Sequence, residues 1–172
     1  TMIRQWIYGT PPETFAVVKE VPLGESLPHF SLEEGPRFTC PLGPEDVVYG
    51  LGETMRGINK RGHRYISFNY DDPEHLDDMP SMYGAHNFLV VDGEAAFGAF
   101  FDTPAKVVFD IDARGDGLLS VQCASPDLRL YIVEGESPLD VVRQFLGVIG
   151  RSVLPPLWAF GYGQSRWGYK TE

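Results

Sequence analysis

Most of the chain alternates apolar and polar positions with a period of two. Residues 2–8 (MIRQWIY) alternate and residues 15–21 (FAVVKEV) are β-branched and aromatic, so two strands are predicted on either side of Pro11-Pro12. Residues 23–35 are polar and turn-rich and are predicted as a connection. Short strands follow at 37–40, closed by Pro41, Gly43 and Pro44, and at 47–49, ending at Gly50-Leu51-Gly52. Residues 65–70 (YISFNY) form the next. Two more, at 86–91 and 95–101, flank Asp92-Gly93-Glu94, and Asp-Gly between apolar runs predicts a hairpin. Strands at 106–111, 118–123 and 128–133 complete the series. Regular spacing without intervening helices predicts an all-β sandwich or barrel. No internal repeat or low-complexity linker breaks it.

One segment changes period. Ser137 is placed to cap a helix, Pro138 suits its first position, and Asp140 follows three residues after the cap. Leu139, Val142, Phe145, Leu146 and Ile149 recur at the spacing of one apolar face, and Gly150 supplies a stop. The helix is expected to pack on the sandwich and lead into Pro155-Pro156, which no helix or central strand can cross. Beyond lies LWAFGY, residues 157–162, with the length and aromatic content of a buried strand. Such a strand needs neighbours on both edges and cover on both faces. It is therefore expected to begin a second domain that has been cut away, giving a division at 1–152 and 153–172.

The connection around the fifth strand is unusual. Residues 53–64 carry Arg56, Lys60, Arg61, His63 and Arg64, while residues 71–81 carry Asp71, Asp72, Glu74, Asp77 and Asp78 around two prolines. Two solvated loops with compensating charge would produce this order. A functional segment would as well, since loops longer than about 12 residues are usually functional or disordered.

Composition narrows the partners. In 172 residues, 43% hydrophobic and 13% aromatic content suffices for a packed core. A net charge of −10 argues against nucleic acid and anionic membranes as partners. Cys40 and Cys123 lack CxxC partners and are expected to be buried thiols, and the four histidines lack ligand spacing, so no metal is expected. Met2 is not followed by a basic patch and an apolar core, and no run reaches the ~18 apolar residues of a membrane span. A cytoplasmic protein is expected. Neither GxxxxGK[ST], GxGxxG nor GxSxG occurs, which leaves nucleotide, hydride and serine-hydrolase chemistry without a foothold and no cofactor expected.

Three stretches carry a resemblance. PPLWAFGYGQSRWGY (155–169) resembles the start of the catalytic barrel of glycoside hydrolase family 31, the α-glucosidase family. YGLGE (49–53) and MYGAHNFLVV (82–91) resemble two stretches of that family's N-terminal β-sandwich, in the family's order. The resemblance implies a galactose-mutarotase-like sandwich leading to a truncated (β/α)8 barrel. It implies a parent enzyme that releases terminal α-linked glucose from oligosaccharides with retention of configuration. The family's two catalytic aspartates lie on later barrel strands, beyond Glu172, so no catalytic residue is expected here and the chain alone is expected to be inactive. Its implied partners are the oligosaccharide and its own missing barrel.

Two substrate-binding residues carry over. Asp71 matches an aspartate on a sandwich loop that contacts the sugar in the first subsite, with Asp72 one residue away as its competitor. A carboxylate can accept two hydroxyl bonds at once, and charged acceptors bond more strongly than neutral ones. Trp167 matches an aromatic residue lining the same subsite, where tryptophan offers a flat apolar face and an indole donor. The alternatives are the same domain of an α-xylosidase or α-glucan lyase, and a stand-alone carbohydrate-binding or structural module.

Overall fold

The computed structural model describes residues 2–13, 16–164 and 168. In chain order the strands are β1 (Met2–Tyr8), β2 (Ser31–Glu33), β3 (Arg37–Pro41), β4 (Val47–Gly50) and β5 (His63–Ser67). β6 (Phe88–Asp92), β7 (Ala96–Asp102), β8 (Val107–Ile111), β9 (Leu118–Cys123) and β10 (Leu128–Gly135) follow, then helix α1 (Pro138–Ile149) and a 3₁₀ turn at Leu157–Phe160. The strands form two five-stranded antiparallel sheets, ordered β1-β10-β7-β6-β4 and β2-β3-β9-β8-β5. Each sheet buries one face against the other, which gives the expected sandwich.

The two sheets differ on their outer faces, and their sequences show it. In β10, Leu128, Leu130 and Ile132 point between the sheets, while Tyr131 and Val133 point out under α1. Both faces are covered, so apolar residues run continuously. β8 and β9 have a helix on neither face, and buried positions alternate there with partly exposed ones such as Ser120 and Gln122. Phe38, Phe101 and Phe109 meet edge to face in the core, with centroids 5.4 and 5.8 Å apart. Under the helix, Phe88 stacks on Phe145 at 3.9 Å. A Cβ at Gly98 would stand 2.7 Å from Val141, so glycine there is what lets α1 approach.

The helix ends as expected. Ser137 Oγ accepts from the Asp140 amide at 3.2 Å, and Gly150 closes the last turn onto Leu146. Its buried face, however, is Val141, Phe145 and Val148, while Leu139 is exposed.

Three elements differ from expectation. The described part of 15–21 is not a strand: the Val18 amide bonds the Val148 carbonyl at 2.9 Å, so the segment lies along the end of α1 rather than in a sheet. Ser31–Glu33, expected within a connection, pairs with β3 as an exposed edge strand. Residues 157–160 form a 3₁₀ turn in which Leu157 and Trp158 are exposed, not a buried strand. A strand exists only by pairing, and no described strand pairs with this segment. None of the described helices is long and apolar enough to cross a membrane.

Candidate functional site

β5 and β6 are joined by residues 68–87, which have no regular structure but do have a defined path. Its two limbs bond to each other: the Ile66 amide to Pro80 O at 2.8 Å and the Tyr70 amide to Met82 O at 3.0 Å. Ser81 Oγ donates to Phe68 O, and Ser67 Oγ bonds Asn87 Oδ1 at the base. The preceding segment supplies two clips. Arg56 donates to the Arg64 carbonyl at 3.2 Å and to the Asp78 carbonyl, and Glu53 Oε2 accepts from the Gly84 amide at 3.1 Å. Met82 is buried beneath.

Of the basic residues before the loop, His63 and Arg64 are exposed, but Arg56, Lys60 and Arg61 are tied into the protein and are not a solvated counterweight to its acids. Lys60 is 5% exposed, donates to Gly57 O at 2.5 Å and lies 5.7 Å from the Tyr65 ring centroid. Desolvation holds its amine below the usual lysine range. Arg61 reaches Asp112 Oδ2 at 2.7 Å and the Gly43 and Asp46 carbonyls at 2.6 and 3.0 Å. This ties 53–64 to the β8–β9 turn. Arg61, and then the Gly117 amide, hold the Asp112 carboxyl below its ordinary range. The acids of 71–81 are left largely to solvent.

At the loop's outer end the two candidate aspartates separate. Asp72 Oδ1 accepts from the Glu74 amide at 2.9 Å, a local turn bond, and its carbonyl accepts from Tyr83 OH at 2.9 Å. Asp71 is exposed, and its carboxylate faces the same phenol. Partial desolvation, then the Asp71 and Asp72 carboxylates, push Tyr83 above the usual tyrosine range. His75 meets the Tyr83 ring edge-on at 5.3 Å. Tyr70 and Phe68 are exposed close by in the chain.

Sequence reasoning did not single out Tyr83. The signal was present, an aromatic in the glycine-containing MYGAHNF stretch, but its position opposite Asp71 exists only once the limbs fold together. Trp167 lies outside the described residues. The arrangement offers recognition: a charged acceptor, a phenol and aromatic edges on a pinned loop.

A family model for the glycosyl hydrolase 31 N-terminal galactose mutarotase-like domain matches residues 21–110. Alpha-glucosidase 2 of Bacillus thermoamyloliquefaciens is 36% identical over 132 residues, which are 74% of this chain and 16% of that protein. The alpha-glucosidase of Saccharolobus solfataricus is 27% identical over 168 residues, 94% of this chain and 24% of the other. Among solved structures, the Flavobacterium johnsoniae GH31 dextranase complexed with glucose superposes with a TM-score of 0.67, at 23% identity, over 78% of this chain and 16% of that one. At that identity the likeness concerns the fold alone. The chain spans 16% and 24% of the two curated relatives, so it corresponds to a small part of each. The family match and the two-sheet sandwich agree: this chain belongs to the glycoside hydrolase family 31 N-terminal galactose mutarotase-like domains.

Proposed function

We propose that this chain is the sugar-site-contributing N-terminal domain of a retaining α-glucosidase acting on terminal α-linked glucose of oligosaccharides. The observation that carries the reading is the 68–87 loop, held by backbone and Arg56 bonds so that Asp71 stands exposed at its outer end beside the Tyr83 phenol. A carboxylate committed to a local turn, like that of Asp72, has less to offer a ligand. A carboxylate fixed in place but open to solvent can accept from sugar hydroxyls at small ordering cost. Similarity to the two alpha-glucosidases supports the reaction class. In this reading residues 1–152 form the sandwich and 153–172 begin the barrel, with Trp167 on the barrel side of the Asp71 subsite. Two buried free thiols, Cys40 and Cys123, suit a reducing cytoplasm.

The test uses the longer reading frame alongside the 172-residue chain, both assayed on maltose and a chromogenic α-glucoside. The longer protein should hydrolyse both, releasing the α-anomer, and the 172-residue chain should hydrolyse neither. Turnover by the purified short chain, or a longer protein inactive on every α-glucoside, overturns the reading.

A further inference from the structure

Two buried hydroxyls beneath the 68–87 loop have no protein partner. Tyr65 is 1% exposed and its OH meets no donor or acceptor among the described residues; Thr54 is half-buried, but its Oγ1 atom is buried and equally without a partner there. Buried polar groups are bonded in the great majority of cases, and each orphan needs an explanation. Both residues line one small, partly open pocket, together with Ser67, Ser81, Met82 and Gly84. The volume open to the centre of a water-sized sphere there is about 10 Å³. That is enough for one water, which needs roughly 10–15 Å³ and two to four polar partners.

We infer that this space is a structural water site, in which one ordered water joins Tyr65 OH to Thr54 Oγ1 and fastens the loop to the sandwich. The walls come from three parts of the chain. Tyr65 and Ser67 belong to β5, Thr54 to the clip segment, and Ser81, Met82 and Gly84 to the returning limb of the loop. Burial pushes the Tyr65 phenol up, so it stays a neutral donor at every physiological pH. Ser67 and Ser81 spend their hydroxyl protons on Asn87 and Phe68 O, which leaves them lone pairs to offer a water. Tyr65 and Thr54 are thus positioning residues for the loop, whatever the loop binds.

The sign of a substitution tests this on the 172-residue chain. A dry orphan hydroxyl is a burden, so Tyr65→Phe or Thr54→Val would raise the thermal midpoint. A hydroxyl holding a water is an anchor. Each variant should then lower the midpoint by about 2–4 °C, the shift a single such interaction makes in a chain of this size. Exchange of the Tyr70 and Gly84 amides, which tie the loop, should speed up in both. Thr54→Ser should restore the wild-type midpoint, and the double variant should lose little more than either single one, because both act through the same water. A crystal structure should show one water within hydrogen-bond distance of both groups. A raised or unchanged midpoint, additive losses, or a site without that water overturns the inference, and none of these outcomes bears on α-glucosidase activity.

Discussion

Phe101 and Asp71 are held in place by opposite means. Phe101 has no exposed surface and meets the rings of Phe38 and Phe109 on the opposite sheet and of Phe30 beside it, so many weak contacts fix it. Asp71 is exposed and its carboxylate meets the Tyr83 phenol, and what fixes it is a loop closed by a few backbone bonds and two side-chain clips. Contacts of the first kind add up to stability and are indifferent to any ligand. Those of the second kind hold one carboxylate at the surface and contribute little to folding. The molecule therefore separates framework from presentation: damage to the sandwich should unfold the chain, and damage at the loop tip should leave it folded and blunt.

The largest effect expected is at the centre of the framework. Phe101→Ala should destabilise by about 3–5 kcal/mol, the usual cost of emptying a buried phenylalanine site. Urea unfolding followed by circular dichroism measures it. A loss below about 1 kcal/mol would mean the two sheets are not joined through this residue. Next comes the tie between the framework and the clip segment. The Arg61–Asp112 pair is mostly buried, with side chains 18% and 10% exposed, and Asp112 adopts φ 54°, a conformation asparagine tolerates. Asp112→Asn is therefore a clean probe. The folded-state carboxyl lies below its unfolded value. The stabilisation is complete above the unfolded carboxylate range, near pH 4, and disappears as pH falls through the folded pKa. Wild type should exceed the variant in stability at pH 7, and the gap should close in acid. A gap independent of pH would show that the charge is not what matters.

Asp71→Ala probes presentation. On the proposed reading, it should remove a charge-assisted bond to a sugar hydroxyl in the parent α-glucosidase, worth roughly 1.5–3 kcal/mol, a ten- to hundredfold fall in kcat/KM. In the isolated chain its effect on stability should stay within about 0.5 kcal/mol, as at other exposed positions. Asp72→Ala reverses the pattern, because its carboxylate bonds the Glu74 amide: loop order should suffer more than ligand contact. If Asp72→Ala costs the enzyme more than Asp71→Ala, the subsite residue is Asp72. If Asp71→Ala lowers the thermal midpoint as well, the division between framework and presentation fails at this point.

Period-two patterning made the open sheet legible. Leu118–Cys123 falls on the predicted bounds because one face of β9 meets the core and the other does not. The edge was harder. Ser31–Glu33 is exposed throughout and pairs on one side only, so its residues carry no burial signal. Val17, Val18 and Val21 misled for the opposite reason: they are strand-like in composition, but the segment packs beside α1, with Val21 buried under it and Val18 exposed. At the site, the resemblance nominated Asp71, and no rule of spacing could have chosen it over Asp72. Their difference lies in which carboxylate turns back onto the chain. The clips were hidden likewise, since Arg56 and Arg61 act on carbonyls far along the sequence.

Leu139 supplies the smallest effect and the sharpest question about where the framework ends. It sits in α1, an element that otherwise belongs to the framework, and heptad-like spacing put it on the buried face. The helix instead rolls so that Val141, Phe145 and Val148 meet the sheet, with Val141 fitted against Gly98. Leu139 is left 58% exposed one position inside Pro138. Leu139→Gln exchanges one good helix former for another and removes little buried area, so stability should change by no more than about 0.5 kcal/mol. A thermal melt beside Val141→Ala, which opens a void under the helix, measures the contrast. Should Leu139→Gln cost as much as Val141→Ala, the helix presents a different face in solution, and the framework extends around α1 to whatever covers Leu139 there.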